Sequence, residues 1–318
     1  MKKRTTIALL LAMLLLILDS RCAAESAREA LSLCAKTLIP SLFPLFVLGG
    51  MLAPGLAVLR IPGLSRILGF PEGFFLLGCL GGYPLGAACI AQALERGDLS
   101  RKDAERMTGL CSLCGPSFLF GVVSNILSIR DAVVLFVIQL ETALMTAAFW
   151  PGGCKAGCLP SPQAVSFPDA VSRAVRSILS VCAWVTLAAV AAGFLRRWVF
   201  PFLSGGMAVV LTGLLELTNG IFAAQGMPYE AQFVLCALFC SFGGVSVLLQ
   251  LAGLSKGLEI GQCIAQKALH GFLTAILSLL YLRAGTWSLL LIPAVLFTKI
   301  AVEIPGNMVY NVPRKEGI

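Results

Sequence analysis

Strongly polar side chains inside long apolar stretches are the residues of this chain most able to do chemistry. Glu216 and Asn219 lie one helical turn apart, directly before Gly220, so a carboxylate and an amide can face one cavity. Because a charge inside a membrane is costly, such a pair usually serves a function, and it suits a proton, a sodium ion or a hydroxyl-rich solute. A hydrogen bond to a neighbouring helix, or a position at the membrane surface, is the structural alternative for Glu216.

Interruptions rich in glycine and proline lie at the centres of two long uncharged runs. Gly81-Gly82-Tyr83-Pro84 interrupts residues 73–94, and Gly115-Pro116 interrupts residues 107–129. Proline removes a backbone donor, and glycine tolerates the distorted backbone that results. Lipid cannot satisfy the exposed N–H and C=O groups, so such breaks occur where they are buried in protein or line a watery cavity.

We therefore expect the interruptions to line the path of a solute. Gly243-Gly244 is a third interruption, and Gln250 lies further along the same apolar run. The start of a half-helix in such a place also favours an anionic group. Together with Glu216 and Asn219, the candidate path residues are Gly82, Tyr83, Pro84, Gly86, Gly115, Pro116, Gly243, Gly244 and Gln250.

A second group of polar residues supports these candidates. Asn125, Gln139 and Glu141 lie in or beside apolar runs and are secondary candidates for the path. Lys299 and Glu303 stand four residues apart near the last helix end, a spacing that brings two side chains together on a helix. We interpret this last pair as a structural ion pair.

The sequence does not favour an enzyme. Gly243-Gly-Val-Ser246 resembles the surroundings of an intramembrane serine nucleophile, but His270, the single histidine, is the one base available. No third group is evident to orient that base. We expect no catalytic residues, and we interpret His270 as a packed or interfacial side chain.

The cysteines favour packing over metal binding. Most of the 12 lie inside apolar runs, and two pairs are spaced to share a helix face, Cys111 with Cys114 and Cys236 with Cys240. Structural zinc usually takes four cysteine or histidine ligands. We expect no metal and no cofactor. Two more cysteines lie in a Gly-rich loop and are interpreted as free thiols, with a disulfide as the alternative: Cys154 and Cys158.

Composition places the chain in the membrane class. Of its 318 residues, 58% are hydrophobic and 13% are charged, with a mean hydropathy of +0.90. Uncharged stretches near the length that crosses a bilayer recur along it. We expect an all-α polytopic membrane protein of about eight to ten membrane-embedded helices, some of them broken or re-entrant. The net charge of +8 is spread over short loops, which is typical of membrane topology signals and not of nucleic-acid binding.

Two pseudo-repeats are predicted to make up the chain. Residues 169–184 resemble residues 27–46, an amphipathic segment leading into an apolar one, at an offset of about 140. Residues 238–247 resemble residues 77–85, and residues 254–259 resemble residues 94–99, at offsets of about 160. Such self-similarity with broken segments is typical of transporter repeats. Whether the two repeats are parallel or inverted is left open.

The predicted organisation has five parts. They are a membrane anchor or signal-like helix (1–24), a first repeat (25–150), a Gly/Cys/Pro loop (151–168), a second repeat (169–302) and a polar tail (303–318). An uncleaved first helix is favoured over a cleaved signal peptide.

Residues 95–106 are the most charged segment of the chain. Ser100 is predicted to cap a helix that begins at Arg101, with Asp103 in the position of a capping box. A solvated hairpin between two membrane segments is the favoured interpretation. A gating or docking surface is the alternative.

Five motifs in order carry a family resemblance: residues 82–86 (GYPLG), 94–100 (LERGDLS), 114–118 (CGPSF), 213–220 (GLLELTNG) and 243–250 (GGVSVLLQ). Together they resemble the YlbJ-like sporulation integral membrane proteins, whose duplicated module is called the nucleoside-recognition or Gate domain. The resemblance covers residues 28–300, nearly the whole chain. It implies a spore-forming bacterium, a role in spore formation and kinship with modules of nucleoside carriers. Members of that family often have asparagines just before the Gly-Pro, where this chain has Ser112 and Leu113.

The function expected from residues and resemblance together is transport. The chain would be a multi-pass protein of the inner membrane, a permease or channel-like component for a small, nucleoside-like solute, moved with H⁺ or Na⁺. The alternative is a non-transporting membrane assembly factor of sporulation. Its surroundings would be the lipid bilayer of the cell, forespore or mother-cell membrane, with no nucleic acid. A second copy of the chain and other sporulation membrane proteins are both left open as partners.

Overall fold

Regular structure in this chain is helical throughout the parts that the computed structural model describes, which are residues 3–57, 64–95, 97–150, 165–254 and 258–290. Most of the predicted loop 151–168, with Cys154 and Cys158, the Lys299–Glu303 pair and the tail 303–318 lie outside these residues. The helices are α1 (Lys3–Leu18), α2 (Ser20–Leu33), α3 (Ile39–Ala57), α4 (Leu64–Leu68), α5 (Glu72–Gly81), α6 (Leu85–Glu95), α7 (Arg101–Leu110), α8 (Pro116–Gly121), α9 (Ile129–Phe149), α10 (Phe167–Trp198), α11 (Gly205–Leu215), α12 (Leu217–Ala224), α13 (Tyr229–Phe242), α14 (Gly244–Leu254) and α15 (Gly261–Ala284).

Five helical segments are long and apolar enough to cross a membrane. The chain is therefore a multi-pass membrane protein, as its composition predicts. A π-helical turn, Cys34–Leu38, joins α2 and α3 into one of these segments. The five segments are Ser20–Leu52, Ile129–Phe149, Phe167–Trp198, Tyr229–Leu254 and Gly261–Leu289.

Serine residues define where several of the helices begin. The Ser100 hydroxyl accepts a hydrogen bond from the Asp103 N–H at 3.2 Å, so the predicted cap of α7 is confirmed. At the starts of α9, α10 and α11, a serine hydroxyl likewise accepts a hydrogen bond from the N–H three residues further along. Each bond satisfies an N–H that the first helical turn leaves without a partner. The serines at those three positions are Ser128, Ser166 and Ser204.

Helices α5 and α6 form a hairpin, the first hairpin, with its tip at residues 82–84. A Cβ on Gly86 would lie only 3.0 Å from the Gly78 Cα. Eight residues of continuous helix would separate these positions by about 12 Å, so the chain turns back on itself. Both glycines lie against the Cys111 carbonyl oxygen, which packs the two arms on the end of α7. Residues 73–94 thus form a helical hairpin and not one continuous helix.

Helices α11 and α12 form a second hairpin, with its tip at Glu216. A Cβ on Gly220 would overlap the Gly213 Cα, so these arms also run side by side. The ring of Phe239 covers both glycines and fixes the hairpin on α13. No proline marks this turn. Helix α12 begins at Leu217 and continues through Gly220.

Two other helices are interrupted without turning back. Between α7 and α8 the backbone of residues 111–115 is not helical; we call this the first break. The prediction that Cys111 and Cys114 share a helix face is therefore wrong. Between α13 and α14 the second break consists of Gly243 and Gly244, whose φ angles are +87° and +80°. Glycine adopts these left-handed angles without the Cβ clash that other residues meet.

One end of the bundle, the Arg106 end, is held by polar contacts between distant segments. The Arg106 guanidinium donates to the carbonyl oxygens of Leu68 and of Trp150, the latter at 3.2 Å. Glu105 Oε1 accepts from the Glu259 N–H at 3.0 Å. That hydrogen bond is the largest of the contacts that lower the pKa of Glu105 below its usual value.

The opposite end, the Tyr229 end, has its own contacts. The Tyr229 hydroxyl donates to Asp131 Oδ1 at 2.9 Å, and Arg197 Nε lies 3.1 Å from Asp19 Oδ2. The first hairpin opens toward the Arg106 end, because its first arm follows Leu68. The second hairpin lies between Arg197 and Tyr229 and opens toward the Tyr229 end. The two tips therefore point toward each other inside the bundle.

The order of elements occurs twice along the chain. From α3 to α9 and from α10 to α15, a long helix is followed by a hairpin, an interrupted helix and a second long helix, with the short α4 as an extra element. Helices α9 and α15 meet at Thr142 and Thr274, whose hydroxyl oxygens are 2.8 Å apart. In this order the first hairpin corresponds to the second hairpin. Residues 77–85 lie in the first hairpin, whereas residues 238–247 lie in the interrupted helix of α13 and α14. The sequence match between them therefore pairs elements that are not equivalent in the repeated order.

Candidate functional site

A cavity lies where the two hairpin tips and the two breaks meet. The cavity is narrow, with room of about 50 Å³, and it is open on one side. Most of the wall is apolar, and Glu216, Gln250 and Thr218 supply its polar side chains. The lining residues are Leu38, Leu42, Gly82, Tyr83, Cys114, Gly115, Phe118, Val181, Val185, Glu216, Leu217, Thr218, Val247 and Gln250.

Each hairpin tip touches the backbone of the interrupted helix that follows it. A Cβ on Gly82 would lie 2.7 Å from the Gly115 nitrogen, so the first tip rests directly on the first break. A Cβ on Gly244 would lie 3.1 Å from the Leu215 oxygen and 3.2 Å from the Glu216 Cα, so the second tip rests on the second break. Glycine at these positions is what permits the backbones to approach.

Tyr83 connects the first tip to the second break. The peptide bond between Tyr83 and Pro84 is cis. The Tyr83 hydroxyl lies 3.1 Å from the Cys240 oxygen and 3.2 Å from the Ser241 oxygen, and it donates to these carbonyls at the end of α13. All four interruptions are thereby joined around one cavity.

Glu216 has the position that the sequence favours for a functional carboxylate. It is buried, and its Oε2 accepts a hydrogen bond of 2.7 Å from the Asn219 N–H, so it caps α12 from the tip of the hairpin. Asn219 does not line the cavity beside it. The Asn219 Nδ2 is buried, and it has no hydrogen-bond partner within the described part of the chain.

The remaining path candidates divide into two groups. Gly82, Tyr83, Gly115 and Gln250 line the cavity, and Gly243 packs against the Tyr83 ring, where an added Cβ would lie 3.1 Å from the ring. Four others lie close to the cavity without forming its wall: Pro84, Gly86, Pro116 and Gly244.

The secondary candidates have other surroundings. The Gln139 amide pairs with the backbone of Cys114, donating to its oxygen at 2.8 Å and accepting from its nitrogen at 3.3 Å. Asn125 is exposed and donates to the Gly121 oxygen at 2.6 Å. Glu141 is half-buried, and its Oε2 has no partner among the described residues. None of the three lines the cavity.

Lys267 is the residue of this region that the sequence analysis missed. Its side chain is fully buried on α15, and its Nζ donates to the Ser112 oxygen of the first break at 2.7 Å. The same Nζ lies 4.9 Å from the centre of the Tyr83 ring. The signal was available in the sequence, because Cys263, Lys267, His270 and Thr274 recur at helical spacing and form one buried polar face of α15.

The structure does not bring a catalytic pair together at Ser246. His270 Nε2 contacts the Gln139 oxygen at 3.0 Å, and the Ser246 hydroxyl has no hydrogen-bond partner in the described ranges. Within the same residues, no three side chains of the metal-binding types cluster to hold a metal ion.

Comparison with known proteins gives a distant similarity over most of the chain. The chain is similar to the sporulation integral membrane protein YlbJ of Bacillus subtilis (strain 168), with 22% identity over 299 aligned residues. The alignment covers 74% of this chain and 71% of YlbJ. No family model matches the chain, and no solved structure gives a significant match. The nucleoside-recognition module therefore stays a prediction.

Proposed function

We propose that this protein is a permease or channel-like component that moves a small solute across the cell membrane during spore formation. The observation that carries the proposal is the meeting of two oppositely directed hairpin tips at one cavity, beside two helix breaks. Membrane carriers place their substrate sites at such discontinuous helices, near the middle of the bilayer. The sporulation role rests on the similarity to YlbJ, and it includes the forespore and mother-cell membranes as locations.

The repeated order of elements supports a mechanism of alternating access. We propose that residues 25–150 and 169–302 form two inverted pseudo-repeats, because their hairpins open toward opposite ends of the bundle. In this arrangement each tip closes the cavity from one side. Movement of one repeat against the other would expose the cavity first to one face of the membrane and then to the other.

The lining of the cavity favours a neutral solute that carries hydroxyl or amide groups. Glu216 supplies acceptors, Gln250 supplies a donor and an acceptor, and none of the described residues that line the wall is basic. The apolar remainder suits the face of a ring, so we propose a nucleoside-like solute, with H⁺ or Na⁺ as the accompanying cation. The proposal includes no catalytic step.

Uptake by proteoliposomes tests the proposal. A panel of labelled nucleosides and other small solutes is offered to the intact protein and to Glu216→Gln, whose amide oxygen can still cap α12. We expect saturable uptake of at least one solute by the intact protein, and a loss of about tenfold or more in the variant. Glu141→Gln is the matched control, because Glu141 does not line the cavity, and it should transport normally.

Two results would contradict the proposal in different ways. Uptake that Glu216→Gln leaves unchanged would place the solute path elsewhere. Absence of uptake for every solute would reject the carrier and favour the second candidate, a non-transporting assembly factor of the sporulation membrane. The observation that favours this candidate is the close packing of Gly78, Gly86, Gly213 and Gly220, because small residues also serve helix association alone.

A further inference from the structure

Lys267 is a buried lysine without an anionic partner among the described residues. Its side chain has no exposed surface, although it lies on a helix long and apolar enough to cross the membrane. The ion pairs that the described residues form join Arg101 to Glu105 and Arg197 to Asp19, and none includes Lys267. A charge in such a place needs compensation from its surroundings.

The compensation comes from a carbonyl oxygen and an aromatic face. The Ser112 oxygen belongs to the first break, just beyond the C-terminal end of α7, where the helix dipole is negative. The Tyr83 ring presents its negative face to the ammonium from the tip of the first hairpin. Lys267 therefore binds the tip and the break at the same time, from a third helix.

Satisfying a carbonyl oxygen does not by itself require a charge at this place. Two residues along the same break, the Cys114 oxygen accepts from the neutral Gln139 amide at 2.8 Å. A glutamine at position 267 could serve Ser112 in the same way, without a buried charge. A lysine at this place thus calls for a role that a glutamine does not fill.

Carbonyl oxygens of unwound segments and the C-terminal ends of half-helices are the groups with which membrane carriers coordinate sodium. Resting on the permease proposed above, we infer that the Lys267 ammonium occupies the place of a coupling sodium ion. The Lys267 ammonium, attached to α15, takes the place of a free cation between the first tip and the first break. The first hairpin can therefore close without bound sodium. Lys267 is a positioning residue in this role, because it lies behind the cavity wall and does not line it.

Closure of the first hairpin can be followed at Cys114. This thiol is 1% exposed and lies in the first break, beneath the tip. The full chain in nanodiscs is treated with a maleimide, and the labelled cysteines are identified by peptide mass spectrometry. Cys236, which is buried on α13, reports global unfolding in the same sample. The salts compared are sodium, methylammonium and N-methylglucamine chloride at equal ionic strength.

The expected results separate charge from volume. The wild-type protein should label slowly at Cys114 in all three salts. Lys267→Ala, which leaves a space the size of a small cation, should label about tenfold faster in N-methylglucamine and slowly again in sodium or methylammonium. Lys267→Met, which fills the space without charge, should label faster in every salt. Lys102→Ala removes an exposed lysine and should behave as the wild type.

Several outcomes would overturn the inference. They are slowing of wild-type labelling by sodium, wild-type rates in Lys267→Ala, and fast labelling of that variant that neither cation reverses. If Lys267→Ala does not fold, wild-type rates in Lys267→Met would overturn it equally. The permease is judged separately: sodium-dependent uptake by the wild type would support the permease and reject this inference. Absence of uptake would reject the permease, while recovery by cations would still establish the cation site.

Discussion

Glu216, Gln139 and Lys267 each bring polarity into an apolar bundle, and each has a different task. The Glu216 carboxylate caps a helix and faces the cavity, so its position serves folding and chemistry together. The Gln139 amide gives one N–H and one acceptor position to the Cys114 backbone, and it does not line the cavity. A polar side chain in a membrane segment usually has a role. Its hydrogen-bond partners show whether that role is to bind a ligand or to hold the backbone in place.

Gln139→Leu tests this distinction by stability. The substitution keeps the size of the side chain and leaves the N–H and C=O of Cys114 without partners in a buried place. Each unsatisfied group costs about 1–3 kcal/mol, so we expect a clear loss in the free energy of unfolding. Glu141→Leu is the control from the same helix: because Glu141 Oε2 has no partner to lose, it should be neutral or stabilising. Denaturant titration in detergent gives both values, and an equal effect of the two variants would contradict the assignment.

The sequence identified some of these residues and missed others for a physical reason. Glu216 and Gln250 are recognisable because they interrupt apolar runs from the middle. Lys267 stands at the edge of a run that begins at residue 268, where lysine is ordinary, and its burial follows from the packing of α15 against α7, α9 and α13. Periodicity along α15 contains the signal, because its polar residues share one face.

At the scale of the elements, both hairpins depend on backbone contact between glycines. The arms meet at Gly78 and Gly86 in the first hairpin and at Gly213 and Gly220 in the second. Sequence patterns found the first tip through Gly82 and its neighbouring proline. They could not tell a broken helix from a hairpin, because both need the same turn residues and differ only in which glycines come into contact afterwards.

Substitution of three glycines by alanine separates backbone strain from close approach. Gly226→Ala meets open space at a φ of +93°, so it should cost about 1–2 kcal/mol of stability. Gly82→Ala meets two problems, a φ of +69° and a collision with the Gly115 backbone, so it should lower stability more than Gly226→Ala does. Gly50→Ala meets neither problem within α3 and should stabilise by about 0.5–1 kcal/mol. Unfolding midpoints measured under one condition rank the three. A Gly82 variant no worse than the Gly226 variant would show that the tip does not rest on the break.

For the whole molecule, the decisive relation is between its two ends. Arg106, Glu105 and Glu259 gather at one end, while Asp131 and Tyr229 meet at the other. Composition is enough to predict a multi-pass helical protein. It could not predict that the hairpins open in opposite directions, because this depends on how many times the chain crosses the bundle between them.

Labelling from the two faces of the membrane tests this arrangement. Lys102→Cys and Glu259→Cys lie at the Arg106 end, and Arg130→Cys and Glu230→Cys lie at the Tyr229 end. In oriented vesicles, a maleimide that cannot cross the bilayer should modify the first two from one face and the second two from the other. The ten native cysteines of the described residues are buried, so each labelled peptide can be assigned to its engineered site. If α5–α6 and α11–α12 each crossed the bilayer once as a continuous helix, the chain would cross the bilayer one more time between Lys102 and Glu230. These two positions would then lie at the same face. Labelling of Lys102→Cys and Glu230→Cys from the same face would therefore reject the opposed hairpins, and with them the mechanism in which each tip closes the cavity from its own side.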